Sequence, residues 1–267
     1  MRRREFVTLL GAAAAWPLAA RGQEAGRTYR LGFLTQVGRN TPGIVAFFDE
    51  LRAHGFVEGG NLSIIPGGFG VAIERIGEVA ETMVKAAPDA IVAGPELPLR
   101  ALQTLTRTIP LIGMTEDMVA EGFAASLARP GGNITGISLL SPELDGKRQD
   151  ILIEAVAGVH RIAALADANI VHRRIAFERA AVVHLPAIYQ WPEMAEEGGL
   201  VGYGSRFTEM YRQRAQMVVK ILRGAKPADL PVEQPTRFEL VINLKAAQAI
   251  GHEVPAGLVL RADKVIE

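Results

Sequence analysis

The chain contains no cysteine, and that one absence removes three kinds of explanation. No disulfide can brace the fold, so a packed apolar core has to hold it together. Thiolate nucleophiles and thiolate metal ligands are excluded. A lipid-bearing N-terminal cysteine is excluded as well, so the mature product is expected to be freely soluble. Charge of one sign is lacking too, with 29 basic residues against 29 acidic ones. So balanced a chain offers no basic footprint for nucleic acid. Catalytic apparatus is equally scarce. His54, His160, His172, His184 and His252 show no metal-ligand spacing and no partnered acid. Neither a Gly-x-x-x-x-Gly-Lys-Ser/Thr loop nor a Gly-x-Ser-x-Gly elbow occurs. Gly68-Phe69-Gly70 follows a strand-like run, but Ile73 stands where a dinucleotide fingerprint needs its third glycine. No enzyme class, cofactor or metal is indicated.

What is present begins with a label. Arg3-Arg4-Glu5-Phe6-Val7 sets paired arginines ahead of a bulky apolar pair, and a small-residue apolar stretch runs from Leu9 to Ala20. Ala20-Arg21-Gly22 then closes the segment. Charged region, apolar region and small-residue cleavage site, in that order, make residues 1–22 an export signal of the twin-arginine type. The apolar stretch is too short to span a bilayer and is broken by Pro17. Without the label, 25 basic residues face 28 acidic ones, a net charge of about −3. The mature chain is expected to work outside the cytoplasm.

Beyond the label, short apolar runs alternate with helix-length amphipathic stretches. Tyr29 to Leu34 reads as a buried strand, and Thr41-Pro42 opens a helix from Gly43 to His54. Residues 62–65, 89–93 and 109–113 read as further strands, with helices over 72–87 and 97–107 between them. Asp117 is expected to start a helix that ends before Pro130. Such alternation means a parallel sheet covered on both faces, with one lobe over residues 28–132. After the Pro130-Gly131-Gly132-Asn133 turn a second series follows. Its strands are expected at 134–140, 162–166, 185–189, 200–203 and 238–243, and its helices at 142–156, 170–183, 207–223 and 244–250.

Six blocks of this sequence resemble a known family. They are Met1-Arg2-Arg3-Arg4-Glu5-Phe6 with Ala14 and Trp16 to Ala20; Ser126 to Gly136; and Pro186-Ala187-Ile188-Tyr189-Gln190. The others are Gly198-Gly199-Leu200 with Tyr203-Gly204, Lys226 to Pro231, and Phe238 to Leu244. In that order they resemble the ABC-transporter substrate-binding proteins related to tryptophan- and tyrosine-binding receptors. The resemblance implies an α/β, two-lobed periplasmic-binding-protein fold of type I-like form, each lobe a parallel sheet flanked by helices. It implies a second lobe over 133–235 and a segment, 236–267, returning toward the hinge and the first lobe. It also implies a periplasmic monomer that captures a small solute, an amino acid or a small aromatic or organic acid. That solute would pass to an ABC permease in the inner membrane. The chain departs from the pattern in one place. Residues 162–169 resemble the entry to the second lobe, while 170–190 resemble a helix and strand from far along it. About one strand-helix-strand-helix segment is therefore expected to be missing, leaving the second lobe shortened. A deletion derivative that no longer binds, and a secreted α/β enzyme, stand as alternatives.

Ligands of open parallel sheets sit beyond the carboxyl ends of the strands, where helix N-termini offer unpaired N–H groups. The residues that follow the strands are thus the candidates. In the first lobe they are Thr35 and Gln36, Gly94 and Glu96, and Thr115 and Asp117. In the second they are Gln190, Trp191, Tyr203 and Ser205. A zwitterionic amino acid needs hydroxyls and helix N-termini for its carboxylate, the hydroxyls offered by Thr35, Thr115 and Ser205, and a carboxylate for its ammonium, offered by Glu96, Glu116 or Asp117. Trp191 and Tyr203 supply flat faces for stacking. Simpler roles stand beside these, Asp117 as a helix N-cap and Trp191 as cover for the lobe's end. Arg206, Arg212 and Arg214, on or beside one long helix with Glu209, read as a solvated face.

Overall fold

The computed structural model describes residues 26–139, 141–156 and 184–267. The export label, the strand and helix expected within 162–183, and the expected gap after Asn169 lie outside the described residues. Helices and strands below are numbered along the described chain.

The first sheet follows from runs that are apolar on both faces. It holds β1 (Tyr29–Thr35), β2 (Leu62–Ile64), β3 (Ala90–Gly94), β4 (Leu111–Thr115) and β5 (Ile134–Ser138), all parallel in the order β2-β1-β3-β4-β5. Every residue of β3, β4 and β5 is buried, the mark of a sheet covered above and below. One face packs on α1 (Pro42–Ala53), joining Leu31, Phe33, Val92 and Ile112 to Phe47 and Leu51. The other packs on α2 (Ile76–Lys85) and α3 (Glu96–Leu105), joining Leu34, Ile91, Ala93 and Leu111 to Met83, Leu99 and Leu102.

Two expectations change here. No helix forms between Asp117 and Pro130. The Asp117 carboxylate accepts from Val119 and Ala120 N–H at 3.0 Å, and Gly122 turns the chain at φ +76°. Arg100 and Gln103 of α3 then donate to the carbonyls of Glu121 and Gly122, which staples the loop to α3. The first sheet also continues past residue 132, because β5 pairs with β4 from Leu111↔Ile134 to Thr115↔Ser138.

The second sheet holds β6 (Ile188–Tyr189), β7 (Val201–Gly204), β8 (Glu239–Asn243) and β9 (Lys264–Ile266), in the order β6-β7-β8-β9. It is flanked by α4 (Ser141–Ala155), α5 (Pro192–Glu196), α7 (Leu244–Ala249) and α8 (Ala256–Val259). Ile151, Leu200, Val201, Leu240, Ile242 and Leu258 form its core. Residues 239–266 therefore complete this sheet rather than returning to the first lobe. The long helix α6 (Phe207–Leu222) goes the other way. Its Phe207, Met210, Tyr211, Val218 and Ile221 share a core with Phe33 and Phe47, so it lies beside α1 on the first sheet. The helix period shows that α6 has an apolar stripe but not which sheet the stripe covers.

Among the described residues the chain crosses between the sheets three times: after Ser138, at Ser205–Arg206, and between Glu233 and Glu239. Because β8 arrives from the first sheet's side, it runs antiparallel to β7, while the other pairs of the second sheet are parallel.

Candidate ligand-binding site

Strand register brings the first-sheet candidates onto one rim. Thr35 is paired with Gly94 and Thr115 with Ser138, each at the carboxyl end of its strand. The Thr35 hydroxyl accepts from Val37 N–H at 3.1 Å and so shapes the turn that holds half-buried Gln36. Thr115 differs. It is 2% exposed, and its Oγ1 has no hydrogen-bond partner. Beside it, Glu116, Asp117, Val119, Ser126, Ser138 and Gln234 line a pocket of about 280 Å³ that touches the first and third crossings. Asp117 caps no helix there; its carboxylate instead closes the turn over Val119 and Ala120. Glu96 is exposed, and its carboxylate accepts from Arg100 at 2.7 Å along its own helix.

The second-sheet candidates separate. Gln190 follows β6, and its carbonyl would lie 2.0 Å from a Cβ at Gly204, so only glycine lets β7 pass. Tyr203 is half-buried, its ring 6.4 Å from Phe238, and its carbonyl accepts from Arg148 Nε at 3.0 Å. Trp191 is 4% exposed and meets Phe207 edge-on at 5.4 Å. Buried in the packing that joins α5 to α6, it leaves almost no surface for a solute to stack on. The Ser205 hydroxyl donates to the Arg237 carbonyl at 2.9 Å, tying the second crossing to the third.

Around those crossings sits a charged cluster that the sequence left unmarked. Arg206 pairs with Glu239 at 2.7 Å and Glu196 at 3.0 Å, and Lys264 reaches Glu196 at 2.8 Å. The hydrogen bond to Glu196 raises the Arg206 pKa further. Burial pushes the Glu196 carboxyl up, but the hydrogen bonds from Arg206 and Lys264 together outweigh it and hold the group below its usual range. Glu193 Oε1 accepts from Phe207 N–H at 2.9 Å at the start of α6, its Oε2 has no partner, and burial pushes its carboxyl up.

The arginines do not form one solvated face. Arg212 is half-buried and paired with Glu209, but Arg214 is 2% exposed. Its guanidinium donates to the Ala93 carbonyl, and to that of Ile112 at 2.7 Å. Burial pushes its pKa down to about 10. A signal was available: Phe207, Tyr211, Arg214, Val218 and Ile221 follow one another at spacings of three and four, the apolar stripe of α6.

Residues 149–266 match the family model described as ABC transporter substrate binding protein. No curated protein matches the chain in sequence. Among solved structures, a conserved domain protein from Vibrio cholerae is similar at 22% identity, covering 90% of this chain and 100% of that one, with a TM-score of 0.75. An ABC domain in complex with L-Trp from Streptococcus pneumonia is similar at 21% identity over 90% and 100% of the two chains, with a TM-score of 0.69. A ligand-free, open substrate binding protein from Clostridium difficile follows at 19% identity over 90% and 99%, with a TM-score of 0.63. Residues 149–266 thus carry the sequence pattern of the ABC transporter substrate-binding proteins, and the chain shares their two-lobed α/β fold.

Proposed function

We propose that this chain is the solute-binding component of an ABC importer, exported through a twin-arginine signal and working as a periplasmic monomer. It captures an amino acid or a small aromatic or organic acid between the rims of its two sheets and hands it to an inner-membrane permease. No catalytic step is involved. The observation that carries this reading is Thr115 Oγ1, buried at the rim without a partner. Such a group costs about 1–3 kcal/mol, and a solute oxygen arriving at the strand ends satisfies it. The three crossings supply a hinge, and a solute shifts the open and closed forms only as far as it touches both rims. The L-Trp held by the streptococcal neighbour supports the solute class.

Thermal shift of the mature protein against amino acids, aromatic acids and sugars tests this. Binding raises the melting temperature with ligand concentration by mass action. A second reading, a lobe pair that has lost its ligand, draws on the second sheet, where β6 has two residues and β9 three. A flat response to every solute supports that second reading and contradicts the first.

A further inference from the structure

We infer that Arg214 makes the first-sheet rim select an anionic solute, a carboxylate foremost, by holding a fixed positive charge directly beneath Gly94. The inference deepens the proposed function and rests on the strand-end rim being the binding site.

The geometry is specific. The β3–β4 ladder pairs only Ile91 with Leu111 and Val92 with Ile112. The guanidinium of Arg214 enters where that ladder stops, taking the Ala93 and Ile112 carbonyls. A Cβ placed on Gly94, the last residue of β3, would lie 3.5 Å from one terminal nitrogen of Arg214 and 3.7 Å from the other. The charge is therefore one backbone layer below the rim that Thr35 and Thr115 share with Gly94. Arg214 forms no ion pair with any carboxylate among the described residues, and its Nε has no partner. Tyr211, one turn back on α6, is its titratable neighbour, and burial raises the phenol's pKa so that it carries no charge at neutral pH. Two carbonyl dipoles solvate the cation without neutralising it. With its pKa near 10 it stays protonated at neutral pH. In a water-poor interior such a charge is weakly screened, so its field reaches the adjoining strand ends of Gly94 and Thr115.

The test uses the mature protein and pairs each amino acid of a panel with its own amide, which keeps the shape and removes the carboxylate. Neutral sugars complete the panel. Titration calorimetry compares wild type with Arg214→Lys and Arg214→Met. The wild type is expected to bind its best acid roughly ten-fold or more tighter than the matching amide. That ratio falls toward one in Arg214→Met and is partly kept in Arg214→Lys. Equal binding of acid and amide by the wild type, or tighter binding of a sugar, overturns the inference while leaving the binding site in place. A parallel loss of both affinities in Arg214→Met also overturns it, because a guanidinium that only plugs the sheet acts that way. Where Arg214→Met does not fold, the wild-type and Arg214→Lys ratios decide. No binding of any panel member sinks the site reading and this inference together.

Discussion

Replacing Thr115 with valine separates a binding hydroxyl from a packing residue, because the two predicted effects have opposite signs. In the solute-free protein the hydroxyl is 2% exposed and unpartnered. Valine keeps the shape and removes the unmet hydrogen bond, returning about 1–3 kcal/mol to the folded state. For a chain of this size, each kcal/mol raises the melting temperature by roughly 2–4 °C. In the solute complex the same change removes a hydrogen bond to a charged group. Such bonds are worth about 1.5–3 kcal/mol, so affinity falls roughly ten- to hundred-fold. Thermal melts with and without saturating solute, on wild type and Thr115→Val, read both effects in one experiment. A variant that melts lower without solute and binds as wild type does would refute the reasoning.

Other substitutions test the frame that carries the rim. Gly136 sits at φ +156°, and a Cβ there would lie 2.1 Å from the Gly113 carbonyl oxygen; Gly136→Ala should cost more than about 3 kcal/mol, read as a lower urea midpoint. Arg206→Ala strips Glu196 and Glu239 of their shared cation and should cost about 1–3 kcal/mol at neutral pH. The lowered Glu196 carboxyl stabilises above its ordinary range, and this is lost as pH falls through its folded value, so the variant's deficit should shrink in acid denaturation curves. Glu193 has the opposite sign: its raised carboxyl makes ionisation costly in the folded state. Glu193→Gln should therefore match wild type in acid and gain on it as pH rises toward neutrality, as melts across that range will show.

The first sheet was legible because its strands are continuous apolar runs. Between strands that signal coincides with helix-starting residues such as Thr41-Pro42 and with amphipathic helices such as α2. The expected helix after Asp117 failed because propensity says nothing of long-range staples, and Arg100 and Gln103 take the carbonyls a helix would use. Assignment of elements to sheets failed for a related reason. The apolar stripe of α6 fits either core, and only Tyr211 and Phe207 closing on Gly43 of α1 decide between them. At the rim, strand ends make Thr115 a candidate, but its unpartnered hydroxyl is visible only in three dimensions. Trp191 and Glu96 were reasonable by type, yet one is spent on Phe207 and the other on Arg100. Arg214 was overlooked because an arginine among charged neighbours reads as solvated until its place on the stripe is counted.

Closure of one sheet's rim onto the other around a solute is most directly measured by small-angle X-ray scattering during a titration with the best solute of the thermal panel. The account predicts a contraction in radius of gyration that saturates at the affinity found by calorimetry. Scattering curves that stay superimposable while calorimetry reports full occupancy would contradict it.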